Sequence, residues 1–227
     1  MSEKYGRFAR QRVLVTSADI YMGPAIVDRF TGEDADVTAD VGRYSAPDEP
    51  AAIIAEAGHI DILVLNLLPE NFIRQLATDT DETEWLRMFE LLVHPTMRFV
   101  KAVLPQMIER RSGKIVAVTS AAPLRAIEAV SSYTAARGAQ NAYVRAVGAE
   151  IAPFNIQFNA IGQNYVYGGY PANAMDDPVI REKVMRDVPA RRFAEGWEQA
   201  ELVLFLASQN SNFISGQVVP FSGGWVT

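Results

Sequence analysis

The 227-residue sequence predicts an α/β fold: a doubly wound parallel sheet with helices on both faces, in three layers α/β/α. Two observations carry the prediction. Short β-branched, apolar runs alternate with longer segments that suit helices, and the first run enters a tight turn that opens a helix, in the stretch VLVTSADIYMGPA at 13–25. A third supports it. With 49% hydrophobic residues over this length, one continuous core is expected, so residues 1–227 are read as one domain.

The predicted strands are VLVT (13–16), ADVTA (35–39), DILVLN (61–66), KIVAVTS (114–120) and IQFNAI (156–161). The predicted helices cover 23–31, 49–57, 82–110, 131–152, 178–187 and 196–208. Their alternation is that of a Rossmann-like sheet, in which loops at the carboxyl ends of the strands hold the ligand. The least regular such loop is GQNYVYGGYPANAMDDP at 162–178, rich in Gly, Pro, Asn and Tyr. Asp176 and Asp177 suit the cap of the helix beginning at Pro178. Apolar stretches at 86–108 and 133–152 exceed what one sheet face needs, which predicts helix pairing with another subunit.

Composition narrows the function. The net charge of -6 is spread along the chain, with no basic stripe for nucleic acid or an anionic membrane. The sequence has no cysteine, so disulfides, thiolate metal sites and cysteine nucleophiles are excluded; no metal-ligand spacing is present either. The start MSEKYGRFARQ has no apolar signal core and no window is apolar enough to span a bilayer, so a soluble, cytoplasmic protein acting on a small molecule is expected.

The chemistry gathers around three residues. Ser120 ends a predicted strand, and Tyr133 and Arg137 stand four apart on the next helix, sharing a face. A hydroxyl, a phenol and a guanidinium are thereby brought together. Arginine is always protonated, and a fixed positive charge beside a phenol favours its ionised form. Ser120 is read as a hydrogen-bond partner for a substrate oxygen, because neither His59 nor His94 lies in a motif that would activate it as a nucleophile.

This arrangement, with Asn66 at a strand end and the tail GQVVPFSGG (216–224), resembles the short-chain dehydrogenase/reductase family, whose usual form is Ser followed by Tyr-x-x-x-Lys. Arg137 stands at the lysine position. Against that family's Thr-Gly-x-x-x-Gly-x-Gly turn, residues 16–23 read TSADIYMG, with Ser17 and Tyr21 in place of two glycines. A glycine there lets backbone approach a phosphate, so the Tyr21 ring is expected to exclude a dinucleotide. The segment before ADVTADV is about one βα unit short by the ~30-residue size of a βαβ unit, and no acidic or basic reader of an adenosine ribose is evident.

The combination Thr-x4-Tyr-x-Gly with Ser120, Tyr133 and Arg137 resembles the halohydrin dehalogenases, which replace the cofactor site with a halide pocket. The resemblance implies a lyase without cofactor or metal: Tyr133 removes the hydroxyl proton of a vicinal haloalcohol, Arg137 tunes the phenol, and Ser120 binds the oxygen. The alkoxide then displaces halide to give an epoxide. It places the halide against Tyr21 and the loop Gln163, Asn164, Tyr165 and Val166. It also implies epoxide opening by small anions, small substrates such as dihalopropanols and epichlorohydrin, and a homotetramer. Asn66 is followed by Leu67-Leu68-Pro69, so the acid that some dehalogenases place beside the asparagine is missing.

Two alternatives remain: an NAD(P)-dependent reductase with a degenerate turn, and a non-catalytic sensor on the same fold. His94 falls near the reductases' relay asparagine and is either a packing residue or a proton donor, while His59 is expected at the surface. Trp225 either seals its own subunit's core or reaches a neighbour's pocket.

Overall fold

A computed structural model describes residues 6–69, 72–125, 127–167 and 177–227. The sheet has six parallel strands: β1 (Arg12–Val15), β2 (Asp36–Ala39), β3 (Ile62–Leu65), β4 (Gly113–Ser120), β5 (Ile156–Gln163) and β6 (Val218–Phe221), in the order β2-β1-β3-β4-β5-β6. The β6 strand, in the GQVVPFSGG tail, is absent from the predicted set. Its run VVPF contains Pro220, which sits on this edge strand beside Gly162.

Helices α1 (Gly23–Thr31) and α7 (Gly196–Ala207) cover one face, and α2 (Glu49–Ala57), α4 (His94–Arg110) and α5 (Ser131–Ile151) the other. Their apolar stripes explain the pairing. Ile26 and Phe30 of α1 pack with Val203 and Leu204 of α7, and Ile54, Phe99, Val103 and Val144 fill the opposite cluster. The helix α6 (Pro178–Asp187) starts at Asp177, whose carboxylate accepts the Val179 N–H at 2.8 Å, as expected for that residue; Asp176 lies outside the described residues.

The predicted helix at 82–110 is divided. A helix α3 (Glu82–Met88) passes through one wide π turn, Phe89–Val93, into α4. Pro95 has no N–H to continue the ordinary ladder, and the wide turn leaves the Leu92 carbonyl to accept side-chain donors instead.

The chain leaves β1 toward β2 on one side and reaches β3 on the other, so a topological switch point opens beside β1. Ser120 and Gln163 are register partners at the carboxyl ends of β4 and β5. The site is built above these ends. Among the described residues no helix is long and apolar enough to cross a membrane.

Candidate active site

Ser120 is almost buried, and its Oγ accepts the Ala122 N–H at 3.0 Å, which leaves the hydroxyl proton for another acceptor. Tyr133 stands in the first turn of α5, with its ring centroid 5.1 Å from that of Phe72. One turn deeper, the Arg137 guanidinium carbon lies 5.4 Å from the centre of the Tyr133 ring. The three predicted residues do converge, but with unequal exposure. Ser120 and Tyr133 line a cavity of about 730 Å³, whereas Arg137 is fully buried behind them.

Arg137 is oriented without a carboxylate. Its Nη1 donates to the Val118 carbonyl at 3.1 Å and to Gln140 Oε1 at 3.0 Å, and Nη2 donates to the Leu67 carbonyl at 2.9 Å. Gln140 is held in turn. Its Nε2 donates to the Leu92 carbonyl at 2.9 Å and to Thr96 Oγ1 at 2.7 Å, both at the π turn. Gln140 was not singled out from the sequence, although its spacing of three from Arg137 puts it on the same helical face. The buried cation therefore faces the phenol with no described acid within 4.0 Å to neutralise it.

Several backbone donors of the first turn are bonded within the protein. Ser17 N–H donates to Tyr44 Oη at 2.7 Å, Ala18 N–H to the Asp40 carbonyl at 2.7 Å, and Gly23 N–H to the Ile20 carbonyl at 2.9 Å. Asn66 pins the turn from β3, its Nδ2 reaching the Ser17 and Ile20 carbonyls at 2.9 and 3.0 Å. Tyr21 retains the left-handed backbone that glycine would favour, with φ +58°, a strain that persists only because the surroundings fix it. A Cβ on Gly23 would lie 2.6 Å from Ala18 backbone, so that glycine serves the turn's own closure.

One expectation needs correction. An acid does stand in the region of a ribose reader: Asp40 follows β2, roughly 20 residues beyond the turn, the offset at which such acids occur. Its carboxylate is engaged internally by the Tyr44 hydroxyl and by Gly42 N–H at 3.2 Å. Tyr44 is 3% exposed and packs edge-on against Phe99. The sequence pattern hid this plug because an acid and a tyrosine four apart have no signature outside a helix.

Tyr21, Gln163, Asn164, Tyr165 and Val166 all line the same cavity as Ser120 and Tyr133. Burial, and then the neighbouring Tyr133, push the Tyr21 hydroxyl's pKa well above the ordinary phenol value, against the opposing pull of Arg137 and a hydrogen bond with Gln163. Tyr21 is therefore a neutral donor. Gln163 Oε1 accepts from Gln199 Nε2 at 3.1 Å, fixing the amide. Asn164 Nδ2 is buried without a partner, and among the described residues the Tyr165 and Val166 amides donate to no protein group. N–H donors of this kind, lining one cavity with a neutral phenol, are groups able to bind an anion.

Trp225 lines this chain's own cavity, stacked under Arg125 with the guanidinium carbon 4.7 Å from the ring centre. His94 is not among the cavity residues; its Nδ1 lies 3.0 Å from Glu90 Oε1 at the start of α4, so the structure does not support a role in proton relay. His59 is exposed beside Asp61, as expected. Among the described residues no cluster of His, Asp and Glu could hold a metal.

A family described as enoyl-(acyl carrier protein) reductase, of the short-chain type, matches residues 13–226. The uncharacterised oxidoreductase YmfI of Bacillus subtilis strain 168 is 31% identical over 189 residues, 82% of this chain and 75% of its own. Other curated relatives are dehydrogenases and reductases. A solved structure described as a dehalogenation enzyme superposes with a TM-score of 0.89 at 27% identity, covering 96% of this chain and 99% of that one. A halohydrin dehalogenase, HheC, bound to ethyl (2S)-oxiran-2-ylacetate, gives a TM-score of 0.85 at 26% identity, covering 96% and 98%.

Proposed function

The chain belongs to the short-chain dehydrogenase/reductase family, and from that premise we propose that it is a cofactor-independent halohydrin dehalogenase. It would convert vicinal haloalcohols to epoxides and open epoxides with small anions in the reverse direction. The observation that carries this reading is the pairing, in one cavity, of Tyr133 with Tyr21 in a glycine's conformation, while the Ser17, Ala18 and Gly23 N–H groups of the turn are bonded within the protein. A pyrophosphate binds backbone N–H groups of such a turn, and the Tyr21 side chain stands in this one. The likeness to two dehalogenation structures, one holding an epoxide, agrees.

In this reaction Tyr133 Oη accepts the substrate's hydroxyl proton. The resulting alkoxide attacks the adjacent carbon opposite the halogen; the C–O bond forms as the carbon–halogen bond breaks, and halide departs with the electron pair. Ser120 donates its free proton to the substrate oxygen, and the Arg137 charge stabilises the anionic Tyr133 oxygen. Asn164 Nδ2, the Tyr165 and Val166 amides and the neutral Tyr21 hydroxyl receive the halide. In reverse, protonated Tyr133 returns the proton to the opening epoxide.

A reductase reading is favoured by the reductase relatives and by Asp40 at the end of β2. A cofactor-free assay separates the two. Equal release of protons and bromide from a short bromohydrin, with no saturable NADH or NADPH binding at millimolar concentration, is expected; dinucleotide binding without bromide release would establish the reductase instead.

A further inference from the structure

The cavity is far larger than a three-carbon haloalcohol requires. Its volume of about 730 Å³ falls in the range that encloses drug-sized ligands. Three kinds of side chain line it. They are the groups proposed to react, Ser120 and Tyr133, with the donors near Tyr21; the aromatic Phe72, Phe193 and Trp225; and the charged Arg74, Arg125, Lys183, Glu128 and Asp187.

The cations differ in how far they are neutralised. Lys183 lies 3.7 Å from Asp187, a carboxylate that Arg186 also holds at 2.9 Å. Arg74 donates Nη2 to the Glu128 carbonyl at 2.9 Å, and Arg125 donates Nη1 to the Trp225 carbonyl at 2.9 Å. Neither arginine has a described carboxylate within 4.0 Å. Arg125 is also the better fixed, because stacking on Trp225 and one backbone hydrogen bond hold its plane while its remaining N–H groups stay available. The carboxylates Glu128 and Asp187 also line the cavity, so Arg74, Arg125 and Lys183 leave it one net positive charge, opposed to the overall charge of -6, with Asp187 feeling Arg125 and already held by Lys183 and Arg186.

We infer that the preferred substrates are haloalcohols or epoxides carrying a carboxylate on an aliphatic tail, with Arg125 as the carboxylate's main partner and Arg74 assisting. The inference rests on the dehalogenase reading and adds the substrate class. The reacting carbons lie at Tyr133, the methylenes run along Phe72 and Trp225, and the carboxylate meets a guanidinium edge in charge-assisted hydrogen bonds. The tail makes the same contacts before and during reaction, so its binding lowers KM more than it raises kcat.

The test compares 6-bromo-5-hydroxyhexanoate and 8-bromo-7-hydroxyoctanoate with their primary amides, which keep the shape and remove the charge. At least one acid is expected to exceed its amide about tenfold in kcat/KM at low salt, the magnitude of one charge-assisted hydrogen bond. That ratio should shrink as salt is added and collapse toward unity in Arg125→Gln. Equal handling of acid and amide by the unaltered protein, or a preference that survives Arg125→Gln, would overturn the inference while leaving dehalogenation intact. Failure of every acid, every amide and a short bromohydrin to release bromide would instead remove the dehalogenase reading. Calorimetric titration with hexanoate then decides the arginine site separately: saturable binding lost in Arg125→Gln supports it, and indifference to that substitution ends it.

Discussion

Arg137 and Gln140 meet inside α5, the guanidinium Nη1 donating to the amide Oε1 at 3.0 Å, with Gln140 anchored at the far side to the π turn between α3 and α4. A neutral amide thus does the orienting that a carboxylate would do, and the cation keeps its charge for Tyr133. Gln140→Glu keeps the acceptor for Arg137 and neutralises that charge, while losing the Nε2 donations to the Leu92 carbonyl and Thr96 Oγ1. Its kcat/KM for a bromohydrin should fall at least tenfold at neutral pH, as expected from loss of an electrostatic stabiliser. Gln140→Ala leaves a buried donor unsatisfied and should lower stability by about 1–3 kcal/mol. Unchanged kcat/KM in Gln140→Glu would show that the pair has no electrostatic role.

Tyr133→Phe removes the only atom of that side chain able to take a proton. It should lower kcat for bromide release by about 10²–10⁴, the usual contribution of a positioned general base. Phe72 packs on the ring rather than on the hydroxyl, so thermal unfolding should shift little. A sensor on the same fold would keep its ligand response in this variant.

Much of this was legible in the sequence, for identifiable reasons. The helices at 23–31, 49–57 and 178–187 match their observed bounds because Pro near each start and Asp48 or Asp177 before two of them mark the boundary locally. The convergence of Ser120 and Tyr133 was legible because spacing along one strand and one helix fixes it. What spacing cannot carry is a contact between distant segments. The Tyr44 plug joins residues 17, 40 and 44 through a loop, and the Gln140 bridge depends on a π turn nearly fifty positions upstream. The β6 strand was missed because its proline contradicts strand propensity everywhere except at an edge.

Tyr44→Phe tests the plug. Removing the hydroxyl leaves Ser17 N–H and the Asp40 carboxylate without their shared partner. A loss of about 1–3 kcal/mol in stability is expected from the buried, unsatisfied groups. Dinucleotide binding should still be absent, because Tyr21 continues to occupy the turn in its left-handed conformation. Saturable NADH binding by this single variant would assign the exclusion to Tyr44 and relieve Tyr21 of it.

Lys114, at the start of β4 away from the active site, gives the clearest pH dependence of stability. Burial pushes its pKa down from 10.5 to about 8, with Asn212 Oδ1 at 2.8 Å and Ser211 Oγ at 3.3 Å as neutral partners. Because the folded state disfavours the charged amine, the unfolded chain binds more protons between pH 8 and 10.5, and stability rises with pH across that window. Below pH 8 both states are charged and the full penalty persists. The buried tyrosines act oppositely: the Tyr21, Tyr44 and Tyr165 hydroxyls have raised pKa values, so their contribution is present below the ordinary phenol value near 10 and is lost above it. The lysine's effect is therefore isolated between about pH 8 and 10. Chemical denaturation across that interval should show stability increasing in the unaltered protein and flattening in Lys114→Met. A slope that persists in Lys114→Met would mean that another group carries it.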